Sequence, residues 1–298
     1  MTKYFVTGGT GYLGQALVDD LLANGHQVLA LARSDESAKK LQDKGCEVHR
    51  GDLEDLESLK QGARKADGTL HLGFIHDFTR YEECCKIDFE ATKAMIEEYQ
   101  GTDKPFVYTT DLMTMPSSIG VKQYEYDWPK PDCDYQRTKN EIFALESSTK
   151  YGTKTIVVRL PPSVHGPGEI ALIPDLINTD KKLGHSVYLD EGEVRWSAVH
   201  KNDAASAFRL AIEKGSKGSV YHAVHDEGIK SIDLAKVISE KFKLPLKSYA
   251  MESAEKDLGF LGYAYKKNMW VSNEKTISEL GWVPKELNLL EDIKQNYN

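Results

Sequence analysis

A tyrosine and a lysine four residues apart, Tyr135 and Lys139, are the residues best suited to acid–base chemistry. Apolar residues follow them at helical spacing, so the segment is predicted to be a helix on which positions i and i+4 share a face. A free tyrosine has a pKa of about 10 and transfers protons poorly at neutral pH. A lysine ammonium one turn away stabilises the phenolate and lowers that pKa. The pair is therefore predicted to be a catalytic acid/base and its cationic helper.

The same spacing occurs elsewhere in the chain, and local context separates the matches. Tyr126 and Lys130 enclose a proline, which breaks the helix that would bring the two side chains together. Tyr263 and Lys267 lie in an aromatic, glycine-flanked stretch, away from the strands predicted below to bind a nucleotide. The pair at 135 and 139 lies between the fifth and sixth of those strands. This position predicts that its helix packs on the sheet near a bound nucleotide.

A glycine-rich stretch, TGGTGYLG at positions 7–14, separates the first predicted strand from the first predicted helix. Gly9-x-Gly11-x-x-Gly14 fits the dinucleotide fingerprint, and Gly8-x-x-Gly11-x-x-Gly14 fits a variant with wider spacing. Glycines permit a tight turn and close approach to a pyrophosphate, while the helix N-terminus presents unpaired N–H groups. The loop residues predicted to contact the dinucleotide are Gly8, Thr10, Gly11, Tyr12, Leu13 and Gly14.

The end of the second predicted strand indicates which dinucleotide is bound. An acidic residue there would hydrogen-bond the ribose 2′-hydroxyl of NAD, whereas Arg33, with Ser34 beside it, can accept a 2′-phosphate. Asp35 and Glu36 follow directly and weaken the distinction. NADP(H) is therefore favoured, and NAD(H) remains an alternative.

Other strand ends complete the predicted cofactor site. Asp52 and Leu53 end the third predicted strand, where they could contact adenine, although an ordinary strand-end acidic residue explains Asp52 nearly as well. Gly73 lies near the end of the fourth predicted strand, and Pro162 follows the sixth, where residues 161–163 are expected to border the nicotinamide. Lys139 is expected to hydrogen-bond the nicotinamide ribose.

Alternating strand and helix patterns must position these residues. Strands are predicted at 3–7, 26–32, 46–53, 68–74, 105–110, 154–160 and 219–224. Helices are predicted at 13–25, 37–45, 56–63, 88–100, around Tyr135, 202–215, 231–242 and 274–280. This alternation predicts an α/β fold with a doubly wound parallel sheet of the Rossmann type. Residues 1–160 plus about 196–224 are assigned to a nucleotide-binding domain, and about 161–195 plus 225–298 to a smaller substrate-binding lobe.

Composition excludes several classes of protein. The 298 residues carry a formal net charge of -8, which argues against a nucleic-acid partner. No apolar run is long enough to span a membrane, and no secretory signal begins the chain, so a cytoplasmic protein is expected. The histidines are scattered without a metal-binding pattern, and no metal site is predicted. The four cysteines, Cys46, Cys84, Cys85 and Cys133, are expected to be reduced.

Taken in order, the motifs TGGTGYLG, Tyr135-x-x-x-Lys139, VVRLPPSVHGPG, WSAVHKNDAASAFRLAIEKG and KTISELGWVP resemble the short-chain dehydrogenase/reductase superfamily. The resemblance is to its extended or atypical branch, described as NAD-dependent epimerase/dehydratase, and covers nearly the whole chain. It implies Tyr135 as general acid/base, Lys139 as its helper and a lobe that closes over the substrate. A homodimer is compatible with it. His200 matches a structural position, and Asp203 is expected to cap the following helix.

The resemblance also implies a serine or threonine hydroxyl at the end of the fifth strand. Thr109, Thr110 and Thr114 are the candidates, and Thr110 is preferred, although Asp111 may fall on the usual position. The fuller signature of epimerases and the Asp-Glu pair of sugar-nucleotide dehydratases are absent from this region, which disfavours elimination chemistry.

The function expected from these features is reduction of a small aldehyde or ketone by NAD(P)H. Tyr135 would protonate the carbonyl oxygen, and Thr110 would orient it. A sugar-nucleotide epimerase or dehydratase is the alternative within catalysis. A non-catalytic NADP-binding regulatory protein is the alternative outside it, which the presence of both tyrosine and lysine disfavours.

Overall fold

A computed structural model describes residues 1–116, 118–129 and 135–298. The strands are β1 Lys3–Thr7, β2 Gln27–Ala32, β3 Glu47–Arg50, β4 Gly68–His71, β5 Pro105–Asp111, β6 Lys154–Leu160, β7 Ser163–His165, β8 Ser186–Leu189, β9 Arg195–His200, β10 Val220–His222, β11 Asp226–Lys230 and β12 Leu246–Tyr249. The helices are α1 Tyr12–Ala23, α2 Asp35–Asp43, α3 Leu56–Arg64, α4 Tyr81–Glu97, α5 Gln136–Lys150, α6 Leu172–Leu183, α7 Lys201–Lys214, α8 Ser231–Phe242, α9 Ala254–Leu258, α10 Phe260–Tyr265, α11 Glu274–Leu280 and α12 Leu289–Asn296.

Seven strands form one parallel sheet in the order β10-β6-β5-β4-β1-β2-β3. β2 and β3 follow one another on one side of β1. β4 then lies on the other side of β1, and β5, β6 and β10 follow it outward. The direction therefore reverses between β1 and β4, and this reversal opens a crevice at the carboxyl ends of the strands. The predicted doubly wound parallel sheet is confirmed.

Both faces of this sheet are covered, as the apolar sequence of its strands requires. Neighbouring residues of β1 point to opposite faces: Val6 packs in a core with α1 and α7, whereas Phe5 packs in a core with α3, α4 and α5. The crevice edge is therefore held between two helical layers.

The remaining elements form a smaller region with its own core. Its sheets are β11-β9-β7 and β12-β8, and its apolar cluster includes residues of α6, α8, α10 and α12. β9, which begins the predicted segment 196–224, belongs to this smaller sheet. The end of α11 and the residues after it behave in the opposite way, because Leu280 and Trp282, predicted to belong to the smaller lobe, pack in the core shared by α1 and α7. The two regions of the chain are therefore interleaved.

Asp203 has a different role from the expected helix cap. The ring of His200 accepts the hydrogen bond from the N–H of Asn202 and caps α7. The carboxylate of Asp203 accepts the backbone N–H groups of Lys285 and Glu286, at 2.9 and 3.0 Å. It therefore fastens the C-terminal segment to α7.

Within the part of the chain that the structure describes, no helix is long and apolar enough to cross a membrane. Cys46, Cys84 and Cys85 are buried free thiols. Cys133 lies outside the described residues.

Candidate active site

The glycine loop is so tightly turned that side chains at two of its positions would collide with the backbone. Gly8 has φ +75°, and a Cβ there would lie 2.8 Å from the backbone nitrogen of Gly73. A Cβ on Gly14 would lie 2.0 Å from the carbonyl oxygen of Gly8. Gly11 begins α1 without a side-chain cap, so the first N–H groups of the helix remain available. This cradle fits a dinucleotide pyrophosphate.

Tyr12 links the glycine loop to a second loop. Its hydroxyl donates to the carbonyl of Gly166 at 3.0 Å, and the ammonium of Lys201 lies 4.9 Å from its ring centre. Thr10 and Leu13, on either side of it, are partly buried. Tyr12 is therefore fixed at the mouth of the crevice.

The end of β2 places Arg33 in solvent at the carboxyl edge of the sheet. Ser34 caps α2 by accepting the N–H of Ser37 at 3.1 Å. A second guanidinium, that of Arg50 at the end of β3, lies beside Ser34. It donates to the carbonyl of Ser34 at 2.7 Å and to the carboxylate of Asp35 at 3.0 Å. Sequence reasoning missed Arg50, although its position at the end of a parallel neighbour strand could have indicated it.

Residues predicted to surround adenine lie on the turn after β3. Asp52 accepts the N–H groups of Glu54 and Asp55, at 2.8 and 3.0 Å, and so shapes that turn. Leu53 lies across the crevice from Gly73, whose Cβ position would be 3.0 Å from the leucine side chain. Leu53 therefore offers an apolar wall beside the glycine loop.

Tyr135 occupies the N-cap position of α5, but its side chain makes no capping hydrogen bond. Lys139 follows one turn later, and its side chain is exposed. The hydroxyl of Tyr135 is hydrogen-bonded to that of Tyr81, the first residue of α4. The two rings stack with centres 5.7 Å apart. Sequence reasoning missed Tyr81, because the predicted α4 began only at residue 88.

The pKa of Tyr135 is raised, chiefly by burial and then by the charge of Asp111. Lys139 was expected to lower the pKa of Tyr135, but the net effect of the described residues is to raise it. Burial disfavours the phenolate, and a nearby carboxylate disfavours it further. The phenol is held in its protonated form.

Asp111 ends β5, directly after Thr110, the residue preferred for the expected hydroxyl. Its carboxylate accepts the N–H of Met113 at 2.9 Å and lies 3.8 Å from the guanidinium of Arg137. The hydroxyl of Thr110 is buried and has no hydrogen-bond partner among the described residues, and the same holds for Thr109. Thr114 is committed elsewhere, because its hydroxyl donates to Glu141 at 2.7 Å and to the backbone at 2.8 Å.

A buried carboxylate, Asp88, ties together the elements that carry these residues. It accepts hydrogen bonds from the hydroxyl of Tyr108 at 2.8 Å, from Arg137 at 2.7 Å and from Asn140 at 2.8 Å. Burial alone would raise the pKa of Asp88, but Arg137 and His71 lower it to about 2. Asp88 therefore stays ionised and holds α4, α5 and β5 in register.

The other predicted positions are found as follows. Pro162 follows β6 and is partly buried, next to the buried Ser163 of β7. Lys130, of the rejected pair with Tyr126, lies outside the described residues. Lys267, of the other rejected pair, lies with its ammonium 5.1 Å from the ring centre of Tyr263.

Comparisons with known proteins agree with this geometry. A model of the NAD dependent epimerase/dehydratase family matches residues 4–224. YLL056C, an uncharacterized protein of Saccharomyces cerevisiae, is 44% identical over 299 residues, which cover 99% of this chain and 99% of that protein. The 4-hydroxy-2-methyl-3-oxo-4-farnesyl-3,4-dihydroquinoline-1-oxide ketoreductase of Stigmatella aurantiaca is 29% identical over 225 residues, which cover 74% of this chain and 67% of the ketoreductase.

Solved structures share the architecture. DesIV, a dTDP-glucose 4,6-dehydratase of Streptomyces venezuelae crystallised with NAD, superposes with a TM-score of 0.77 over 99% of this chain and 95% of that one. The sequences are 17% identical, so this likeness concerns the fold.

Proposed function

This chain belongs to the NAD dependent epimerase/dehydratase family, and from that premise we propose that it reduces the carbonyl group of an aldehyde or ketone with NAD(P)H. The observation that carries the proposal is the position of Tyr135, which begins α5 at the carboxyl edge of the sheet, where the glycine loop also lies, with its hydroxyl bonded to that of Tyr81. Reduction needs a proton donor at the carbonyl oxygen, and a hydroxyl that is already hydrogen-bonded to a second hydroxyl can fill that role.

The residues that would hold the cofactor are those of the glycine cradle, with Arg33 toward the adenosine and Lys139 toward the nicotinamide ribose. When bound, a reduced nicotinamide would supply the hydride. The Cβ positions at Gly8 and Gly14 support this assignment, since any side chain there would collide with the backbone and break the tight turn that leads into α1.

Tyr135 would donate its hydroxyl proton to the substrate oxygen. The hydroxyl of Tyr81 would then donate a hydrogen bond to the phenolate oxygen that remains, and the ammonium of Lys139 would add electrostatic stabilisation. The hydroxyl of Thr110 remains a candidate for orienting the carbonyl, because it is buried without a partner at the strand end. Tyr81 is the alternative hydroxyl for that task.

Replacing the phenol tests the proposal. Tyr135→Phe should lower kcat by about 100-fold or more and leave the Kd for NADPH within about twofold of the wild type, because the variant loses only the proton donor. The measurement is NADPH oxidation with a panel of aldehydes and ketones, together with NADPH binding by fluorescence. Tyr126→Phe is the matched control, since Tyr126 is exposed and its ring stacks on Tyr124. Turnover by Tyr135→Phe equal to that of the wild type would refute the proposed role.

We further propose that the cofactor is NADP(H). The support is the exposed guanidinium of Arg33 beside the hydroxyl of Ser34, with Arg50 on the neighbouring strand. Arg33→Ala should raise the KM for NADPH by about tenfold, since charge-assisted hydrogen bonds to a phosphate are lost, and should change the KM for NADH far less.

The control for this substitution is Arg64→Ala. Arg64 ends α3, at the opposite edge of the sheet, and pairs with Glu98 at 2.6 Å. It should leave both Michaelis constants unchanged. If Arg33→Ala affected NADH and NADPH equally, the preference for NADP(H) would have to be abandoned.

A further inference from the structure

A continuous set of aromatic side chains leads away from Tyr135. We call Phe74, Phe78, Tyr81, Phe260 and Tyr263 the aromatic wall. The ring centres of Phe74 and Tyr81 are 5.9 Å apart, those of Phe78 and Tyr81 6.0 Å, those of Phe78 and Phe260 6.0 Å, and those of Phe260 and Tyr263 6.3 Å. The wall thus joins α4 and the preceding turn to α10.

The wall begins at the proton donor. Tyr81 both stacks on Tyr135 and shares a hydrogen bond with it. Tyr263, on α10, forms the other end of the wall next to Phe260. A molecule held by Tyr135 would therefore have its remaining atoms against these rings.

Two members of the wall are exposed to an unusual degree for their type. Phe78 is 65% exposed and Phe260 61% exposed, yet the two rings face each other across the two regions of the fold. Exposed apolar side chains that cluster beside a reactive group are characteristic of ligand-binding surfaces. Aromatic faces gain most by covering another apolar group.

Two guanidinium groups near the wall are committed to carboxylates, whereas the ammonium of Lys267 lies over the ring of Tyr263. A diphosphate needs cations, but Arg80 is paired with Asp77 at 3.1 Å and with Glu83 at 2.8 Å. Arg137 is buried under the ring of Phe74, with its charge directed to Asp88. Asp111 adds a further negative charge beside Tyr135.

We propose that the aromatic wall binds the apolar part of the substrate, so that the substrate class is carbonyl compounds carrying an aromatic or similarly bulky apolar group. This inference rests on the proposed carbonyl reduction at Tyr135. The inference specifies the substituent on the carbonyl group of the substrate, which the proposed function does not define.

Two aldehydes that differ only by a phenyl group test the inference. 3-Phenylpropanal and propanal have nearly the same carbonyl reactivity, so a difference in kcat/KM reports binding of the ring. The wild-type enzyme should favour 3-phenylpropanal by about tenfold or more. Phe78→Ala and Phe260→Ala should each reduce that ratio by about threefold to tenfold, chiefly through a higher KM for 3-phenylpropanal.

Val283→Ala is the matched control, because Val283 is 62% exposed and lies outside the wall. It should leave the ratio unchanged. Phe78→Leu provides a milder variant that keeps apolar volume, and circular dichroism verifies that each variant is folded. Binding of UDP-glucose, measured by calorimetry, is expected to be undetectable.

The outcomes separate this inference from the function on which it rests. If Tyr135-dependent turnover is found but propanal is reduced as efficiently as 3-phenylpropanal, the wall does not bind substrate and only this inference fails. Tight binding of UDP-glucose that is insensitive to Phe78→Ala would also overturn it. If no carbonyl compound is reduced in a Tyr135-dependent manner, the proposed function itself fails.

Discussion

At the scale of single residues, Asp111 distinguishes this site from the pattern that its sequence resembles. Its carboxylate ends β5, directly after the preferred hydroxyl candidate Thr110, and is 33% exposed and bonded to the N–H of Met113. Its charge raises the pKa of both Tyr135 and Tyr81, after the larger effect of burial. Asp111 therefore favours the protonated phenol, which is the form that reduction consumes.

Asp111→Asn should lower the pKa of Tyr135, because removal of a negative charge stabilises the phenolate. Reduction requires the protonated phenol, so the alkaline limb of the kcat profile for reduction should move to lower pH. Alcohol oxidation, which requires the phenolate, should become faster near neutral pH. The measurement is kcat against pH, from about pH 6 to pH 11, in both directions.

Asp43→Asn is the control for this experiment, because Asp43 is exposed at the end of α2, and its profile should match the wild type. An alkaline limb that stays in place in Asp111→Asn, or that moves to higher pH, would contradict the assigned effect of this carboxylate.

At the scale of helices and strands, the active site depends on how α4, α5 and β5 are held together. Asp88 makes this connection inside the protein through Tyr108, Arg137 and Asn140. Tyr81 and Tyr135 begin the two helices that Asp88 joins. Their hydroxyl contact therefore rests on a buried ion pair one or two turns away.

Asp88→Asn should destabilise the protein by roughly 3–5 kcal/mol, because it removes the carboxylate that is hydrogen-bonded to the buried guanidinium of Arg137 and leaves only Asp111, at 3.8 Å, as a countercharge. Urea unfolding should show this as a lower midpoint with a similar slope. Glu90→Gln, an exposed change on the same helix, should stay within about 0.5 kcal/mol of the wild type. A similarly small change in Asp88→Asn would mean that α4 and α5 do not need this link.

The helices also show what local patterns could predict. β5 and β6 were predicted within one residue of their observed bounds, since each is a clear apolar run, and α5 was predicted between them without exact bounds. α4 begins at Tyr81, seven residues before the predicted start at 88, because its first turns carry Glu82, Glu83 and Lys86 and read as a polar loop. Burial of Cys84 and Cys85 on one face, which makes these turns helical, becomes visible only in the packed structure.

At the scale of the whole molecule, the C-terminus returns to the cofactor crevice. The hydroxyl of Tyr297 is hydrogen-bonded to the carboxylate of Glu169. The same loop contains Gly166, whose carbonyl accepts the hydrogen bond from the hydroxyl of Tyr12. The N–H of Ile173 adds a hydrogen bond to Glu169 at 3.2 Å. The last residues therefore brace the loop that faces the glycine cradle.

Burial raises the pKa of Glu169 to about 7, against the lowering effect of Tyr297. The folded state therefore binds a proton that the unfolded state releases between the ordinary value of 4.5 and about 7. Stability from this group is present at low pH and is lost as pH rises through that window. Glu169→Gln should remove this loss, so that its Tm exceeds that of the wild type by about 2–5 °C at pH 8 and by less at pH 5.

The measurement is Tm by calorimetry at several pH values. Glu191→Gln, an exposed change elsewhere, should follow the wild type at every pH. A Tm difference between Glu169→Gln and the wild type that does not vary with pH would show that Glu169 does not titrate in this range.

The sequence by itself determined the family, the parallel sheet and the cradle between β1 and α1. These follow from local rules, because a period of 2 or 3.6 residues and a run of glycines fix the structure of the segments that carry them. The sequence also singled out Tyr135 and Lys139, whose spacing of one helical turn is equally local.

The tertiary structure alone decided which groups meet Tyr135. Tyr81 is 54 residues away in the chain, and Phe78 meets Phe260 from the other region of the fold. It likewise placed Trp282 in the core of the nucleotide-binding layers and Arg50 beside Ser34. Contacts of this kind depend on how whole elements pack against each other, and no short-range spacing specifies the angle and register of that packing.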